Sequence, residues 1–209
     1  MNATEKRSPR FTLWITLAVM GVLAGAGVTA WQMWPSEEAT VAVPAHVCES
    51  ALPGADVKAL LPAKGKQFAE WHTGTFNPEG GSASKVPGTC KVYGGGKSVT
   101  IKHSLYAGSD YTMKDVARDA SSKGATRIAL GEAKGFHEGD TTYLFVDCSS
   151  VQDETKALVE VDITYQKTTD RAVIQKMASL AADTLRLEAQ KLWTCDGADG
   201  LPKGSPQVG

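Results

Sequence analysis

The stretch Thr155–Gln166, TKALVEVDITYQ, alternates apolar and polar residues, strictly so from Val159 onward. Ala157, Val159, Val161, Ile163 and Tyr165 point to one side, and Glu160, Asp162 and Thr164 to the other. A period of two is the signature of a strand with one dry face and one wet face. Parallel sheets are covered on both faces, so this half-wet strand predicts an antiparallel sheet. Upstream, Tyr143-Leu144-Phe145-Val146 is apolar on both sides and reads as a central strand within Thr141–Cys148. Ala133–Glu138 precedes it across the turn Gly139-Asp140. Thr89–Tyr93 and Lys97–Tyr106 read as a hairpin about Gly94-Gly95-Gly96, with Val99, Ile101, His103 and Leu105 on one face. Gln67–His72 and Thr126–Leu130 add two short strands.

The helices are as legible. Asp56–Leu61 is bounded by Pro53-Gly54 and Pro62. Thr112-x-x-Asp115 reads as a capping box and Gly124 as a terminator, which places a helix over Met113–Lys123. Thr169 or Asp170 caps a long helix that runs to about Trp193. Val173, Ile174, Met177, Leu180, Ala181, Leu185 and Leu187 form its apolar stripe. Glu188 and Lys191 also fall on that stripe, so the last turns are expected to overhang the core. The fold class is α+β: a two-layer domain whose mainly antiparallel sheet is packed by a long C-terminal helix.

The chain has 209 residues, 22 Lys+Arg against 23 Asp+Glu, and 42% hydrophobic residues. This is globular composition for one domain plus appendages. The absence of a basic excess argues against a nucleic-acid partner. No charge occurs from Phe11 to Ser36. As a helix, the segment 11–34 is roughly 36 Å long, enough to cross a hydrocarbon core of about 30 Å. Lys6, Arg7 and Arg10 precede it and Glu37 and Glu38 follow it, which predicts a single-pass helix with residues 1–10 cytoplasmic and the remainder outside. Val28-Thr29-Ala30 leaves open a signal peptide cleaved after Ala30, and the protein is then secreted. No lipobox cysteine follows the apolar run.

The four cysteines, Cys48, Cys90, Cys148 and Cys195, all lie in the exported part. An even count in an oxidising compartment predicts two disulfides. Three pairings are possible; Cys48–Cys90 with Cys148–Cys195 is the expected one. Residues 35–47 read as a spacer, 48–195 as the extracytoplasmic domain, and 196–209 as a disordered Gly/Pro-rich tail.

Little in the chain carries chemistry. Gly96-Lys97-Ser98 lacks the first glycine of a phosphate loop and precedes a strand, so it is a turn. Gly80-Gly81-Ser82-Ala83-Ser84 lacks the last glycine of a nucleophile elbow and reads as loop. No cysteine or histidine pairs have metal-ligand spacing, so neither a metal nor a cofactor is expected. Trp71 and His72 are candidates to line a cleft. His103 sits on an apolar face and reads as a core histidine. His137 is expected to be exposed. Asp147 ends the central strand. These four, Trp71, His72, His103 and Asp147, are the candidate binding residues, and none is assigned a catalytic role.

Cys48-Glu49-Ser50-Ala51-Leu52 with Val57-x-x-Leu60-Leu61, then Gly88-Thr89-Cys90-Lys91-Val92 entering a strand, then the late apolar helix, resemble the uncharacterised actinobacterial exported domains of cell-envelope lipoproteins and anchored proteins. More distantly they resemble the extracellular sensor domain of mycobacterial receptor Ser/Thr kinases. The resemblance spans roughly 48–195 and implies no catalytic residues. It implies an envelope protein, sensor-like, that binds an unknown envelope protein or small ligand. The alternative is a secreted or anchored cell-wall hydrolase, with Trp71, His72 and Asp147 as its first candidates.

Overall fold

The computed structural model describes residues 39–77, 85–107, 110–148, 157–196 and 198–209. The segment 11–34, read above as a membrane helix or signal peptide, lies outside the described residues, as does the loop 80–84. Among the described residues, no helix is long and apolar enough to cross a membrane.

The architecture is α+β. Two short strands, β1 (His46–Val47) and β2 (Leu52–Pro53), pair with each other and lead into α1 (Gly54–Leu60). Then come β3 (Ala69–Thr73), β4 (Gly88–Gly94), β5 (Lys97–Ala107), α2 (Met113–Asp119), β6 (Thr126–Leu130), β7 (Ala133–Glu138), β8 (Thr141–Asp147), β9 (Ala157–Thr164), α3 (Arg171–Leu187) and β10 (Gln207–Val208). The main sheet has eight strands in the order β10-β6-β7-β8-β9-β5-β4-β3, and every pairing is antiparallel. The doubly apolar β8 is internal to it, as its composition requires.

One face of the sheet is dry. Val92, Val99, Ile101, Leu144, Val159, Val161 and Ile163 are buried there against Ile174, Met177, Leu180, Ala181 and Leu185 of α3. The Asp170 carboxylate caps α3 by accepting from the Ala172 amide at 2.8 Å, a device worth about 1 kcal/mol. Both disulfides have the expected pairing, Cys48–Cys90 and Cys148–Cys195. They close loops of 42 and 47 residues, each stabilising by about 4 kcal/mol in the chain-entropy model. One ties the start of the domain to β4 and the other ties the region after α3 to the end of β8.

Several boundaries differ from expectation. The segment read as a spacer enters the fold by residue 39: Val41 is buried, and its amide donates to the Ala63 carbonyl at 2.8 Å. The helix after Thr112 ends at Asp119 rather than Lys123. The Asp115 carboxylate accepts from the Thr112 amide at 2.9 Å, as its capping position implies. The last turns of the long helix do not overhang the core. They relax into a π-helical turn over Glu188–Leu192, in which the Trp193 amide donates to the Glu188 carbonyl. The wider turn keeps Glu188, Ala189 and Leu192 buried and turns Lys191 to solvent.

The tail read as disordered is ordered over its described residues. Ala198 and Leu201 are buried, β10 pairs with β6, and the Gly209 amide donates to the Arg127 carbonyl. Arg186 donates to the carbonyls of Pro202 and Gly204, and Gln175 to that of Pro206. Glycine and proline make the segment irregular, but two side chains of α3 satisfy its backbone acceptors.

Candidate functional site

The second face of the main sheet is where the fold leaves chemistry accessible. Strand pairing aligns Trp71, Lys91, Thr100, Thr164 and Thr141 in one row across β3, β4, β5, β9 and β8. The next row holds Thr73, Thr89, Lys102, Asp162 and Tyr143, and the row after it Ser104, Glu160 and Phe145. The short helix α2 covers only the β7–β8 end of this face, where Val116 and Ala120 pack on Phe136, Phe145 and Leu158. From β5 to β3 no helix lies on it among the described residues, whereas Leu158 and Glu160 of β9 are buried.

Aromatic and charged side chains are interleaved there. Trp71, Tyr93 and Tyr106 are 53%, 38% and 41% exposed, unusual for large apolar groups. The Lys91 ammonium stands 5.2 Å above the Tyr93 ring, a cation–π contact. Tyr93 also lines a shallow groove of about 180 Å³ with Lys66, Lys97 and Ser98. Glu160 and Asp162 lie side by side on β9. Burial pushes both carboxyls above their usual range, and for Glu160 the neighbouring Asp162 charge adds to it. The Ser104 hydroxyl donates to Glu160 at 3.3 Å, and Lys102 approaches Asp162 at 3.8 Å. Burial and a bond to Glu160 push the Tyr106 phenol up to about 12.

The dry face carries a separate polar corner at the edge of β3. Cys48, Glu49 and Ser50 have φ of 55°, 59° and 64°. Three consecutive non-glycine residues in the left-handed region cost roughly 1–2 kcal/mol each. The Cys48–Cys90 bridge and the Glu49 carboxylate hold them. That carboxylate accepts from the Phe76 and Asn77 amides at 3.0 and 3.3 Å, and it lies 3.2 Å from His72 Nε2. Glu70 in turn accepts from the Glu49 amide and lies 3.8 Å from His72 Nδ1. His72 thus stands between two carboxylates at an exposed edge.

Behind this corner is a buried histidine–carboxyl pair. His103 is sealed, with Phe76 edge-on to its ring at 4.9 Å and Trp193 at 6.4 Å. Its Nε2 lies 2.7 Å from the Thr75 carbonyl. A carbonyl only accepts, so Nε2 carries the proton. Nδ1 then faces the Glu188 carboxyl at 3.5 Å. Burial pushes Glu188 up to about 9, reinforced by the Glu49 charge, and burial pushes His103 down to about 4 against the Thr75 bond. Both directions favour an uncharged pair, with the shared proton on Glu188. Among the described residues, His103 Nδ1, both Glu188 oxygens and Trp193 Nε1 have no hydrogen-bond partner.

The structure separates the four candidate residues. Trp71 and His72 are neighbours in β3 but face opposite sides of the sheet. His103 is buried on the dry face two strands away. Asp147 is exposed at the end of β8, four strand spacings from His72, about 19 Å in that direction alone. His137, expected to be exposed, is buried between Thr142 Oγ1 and the Thr168 carbonyl. Its position in β7 puts it on the dry face, opposite Thr142. The alternation of β5 and β9 identifies the outward set Lys102, Tyr106, Glu160 and Asp162. Glu49 carries no such local signal, because a disulfide and a left-handed turn bring it in. Glu188 lies on the apolar stripe of α3, where the period predicts an overhang beyond the core, and is instead buried. No known protein family, curated protein or solved structure matches the chain.

Proposed function

We propose that the chain is a membrane-anchored, extracytoplasmic binding protein of the bacterial envelope, sensor-like and without catalytic activity. It takes its ligand on the open face of the eight-stranded sheet. The observation that carries this reading is the composition of that face: exposed Trp71, Tyr93 and Tyr106 set among Lys91, Lys102 and the part-buried Asp162. A flat surface of this kind suits a polyhydroxylated chain such as an envelope glycan. Rings stack on C–H faces, while carboxyl, ammonium and threonine groups exchange hydrogen bonds with hydroxyls. The charge-free segment 11–34 and its cationic N-terminal flank support anchoring.

The test is co-sedimentation of the detergent-purified full chain with insoluble cell-wall polysaccharide. Binding that weakens about tenfold or more in the Tyr93→Ala/Tyr106→Ala variant is expected for two contact residues of this type. Equal binding by both proteins removes the open face from the account.

A second reading, a cell-wall hydrolase, draws on the 3.2 Å approach of His72 to Glu49. A positioned carboxylate beside an exposed histidine is the beginning of a general base. This reading requires release of soluble fragments from the polysaccharide and loss of that release in His72→Gln.

A further inference from the structure

The strand β3 ends the sheet, and its outer edge is unpaired among the described residues. Which of its backbone groups face outward follows from the neighbouring hairpin. The two-residue turn Gly95-Gly96, with φ of 59° and 80°, makes Gly94 and Lys97 the hydrogen-bonded pair that closes β4 on β5. Bonding alternates along an antiparallel ladder, so Val92, Cys90 and Gly88 also turn their backbone toward β5. Tyr93, Lys91 and Thr89 then turn theirs toward β3, where they meet Ala69, Trp71 and Thr73. Glu70 and His72 are left with N–H and C=O directed out of the sheet. Such an edge invites another strand.

We propose that the occupant is a second copy of this chain, paired β3 to β3 in antiparallel register about Trp71. In that register Glu70 of each copy lies opposite His72 of the other, and these are the residues whose outward N–H and C=O groups are free. Two such pairs make four backbone hydrogen bonds. Their side chains are complementary, carboxylate against imidazole, and Glu49 stands beside each His72. Trp71 meets Trp71 as a non-hydrogen-bonded pair, the closer kind, with Cα atoms about 4.5 Å apart. A register centred on Glu70 sets carboxylate against carboxylate. One centred on His72 sets imidazole against imidazole. The segment is therefore self-complementary in one two-fold arrangement, as an isologous contact must be. The pairing joins the open faces of both copies into one continuous surface and does not depend on what binds there.

Five residues of edge make a small interface, so the contact is weak in dilute solution and gains from confinement of both copies. The test uses the full-length chain in the membranes of the expressing cell, with single cysteines added. Trp71→Cys is expected to form a disulfide-linked dimer of twice the chain mass on oxidation. Ala69→Cys and Thr73→Cys, each alone, are expected to give at least tenfold less. Co-expressed together, those two variants are expected to cross-link with each other, since Ala69 lies opposite Thr73 in this register. Equal cross-linking at all three single positions overturns the register. No dimer from Trp71→Cys, or a cross-linked species of another mass, overturns the second copy as the occupant.

Discussion

A buried carboxyl without a cation is the most consequential single residue in this molecule. Glu188 is fully buried, and its folded-state value of about 9 exceeds the ordinary 4.5. Between those values the folded state holds a proton that the unfolded chain releases, so this group's contribution to stability falls as pH rises. His103 acts in the opposite sense: its folded value of about 4 lies below the ordinary 6.5, so stability rises with pH between them. The two offset each other between about 4.5 and 6.5, and Glu188 acts alone from there to about 9. Urea unfolding from pH 7 to 9 should show stability falling by up to about 1.4 kcal/mol per pH unit. Glu188→Gln, whose amide can donate to His103 Nδ1, should flatten that slope; equal slopes in both proteins contradict the pairing. Gly88 is the second sensitive position. A Cβ there would lie 2.3 Å from His103 Nε2 and 2.9 Å from the Thr75 carbonyl oxygen. Gly88→Ala should cost about 1–3 kcal/mol in the same assay.

At the scale of elements, the strands were the most legible part, because alternation is a local property. TKALVEVDITYQ and YLFV announce two strands of an antiparallel sheet, and both are internal to it; the face of the first read as wet is nevertheless covered at Leu158 and Glu160, which are buried. The Thr112 capping box and the Asp170 cap mark the starts of α2 and α3. What escaped the reading depends on partners distant in the chain. DGADGLPKGSPQVG has no period of its own, yet Arg186 and Gln175 hold it against α3, and its last residues join β6. Likewise, a uniform helical period cannot anticipate the π-helical turn that directs Lys191 to solvent while Leu192 stays buried. Arg186→Ala removes the side chain that grips Pro202 and Gly204. It should raise amide exchange across 201–209 at least tenfold while leaving that of β8 and β9 unchanged. Unaltered exchange in the tail would show that Arg186 does not hold it. At the candidate site, the outward residues of β5 and β9 could be read from alternation. The Glu49–His72 approach could not, because it depends on the Cys48–Cys90 bridge and a left-handed turn.

For the whole molecule, the two sheet faces differ in how far they are covered. α3 and the disulfides close the dry face, while the opposite face remains open between β3 and β5. In the proposed function, the packed face supports the open one as a platform for ligand. The most direct measurement is a chemical footprint of the full-length protein with and without envelope polysaccharide. Modification rates of lysine and tyrosine side chains are read by mass spectrometry. The account predicts at least threefold protection of Lys91, Tyr93, Lys102 and Tyr106, with Lys176 on α3 unchanged. Protection confined to Lys176 and other positions off the open sheet face, with those four reacting as they do in the free protein, would contradict it.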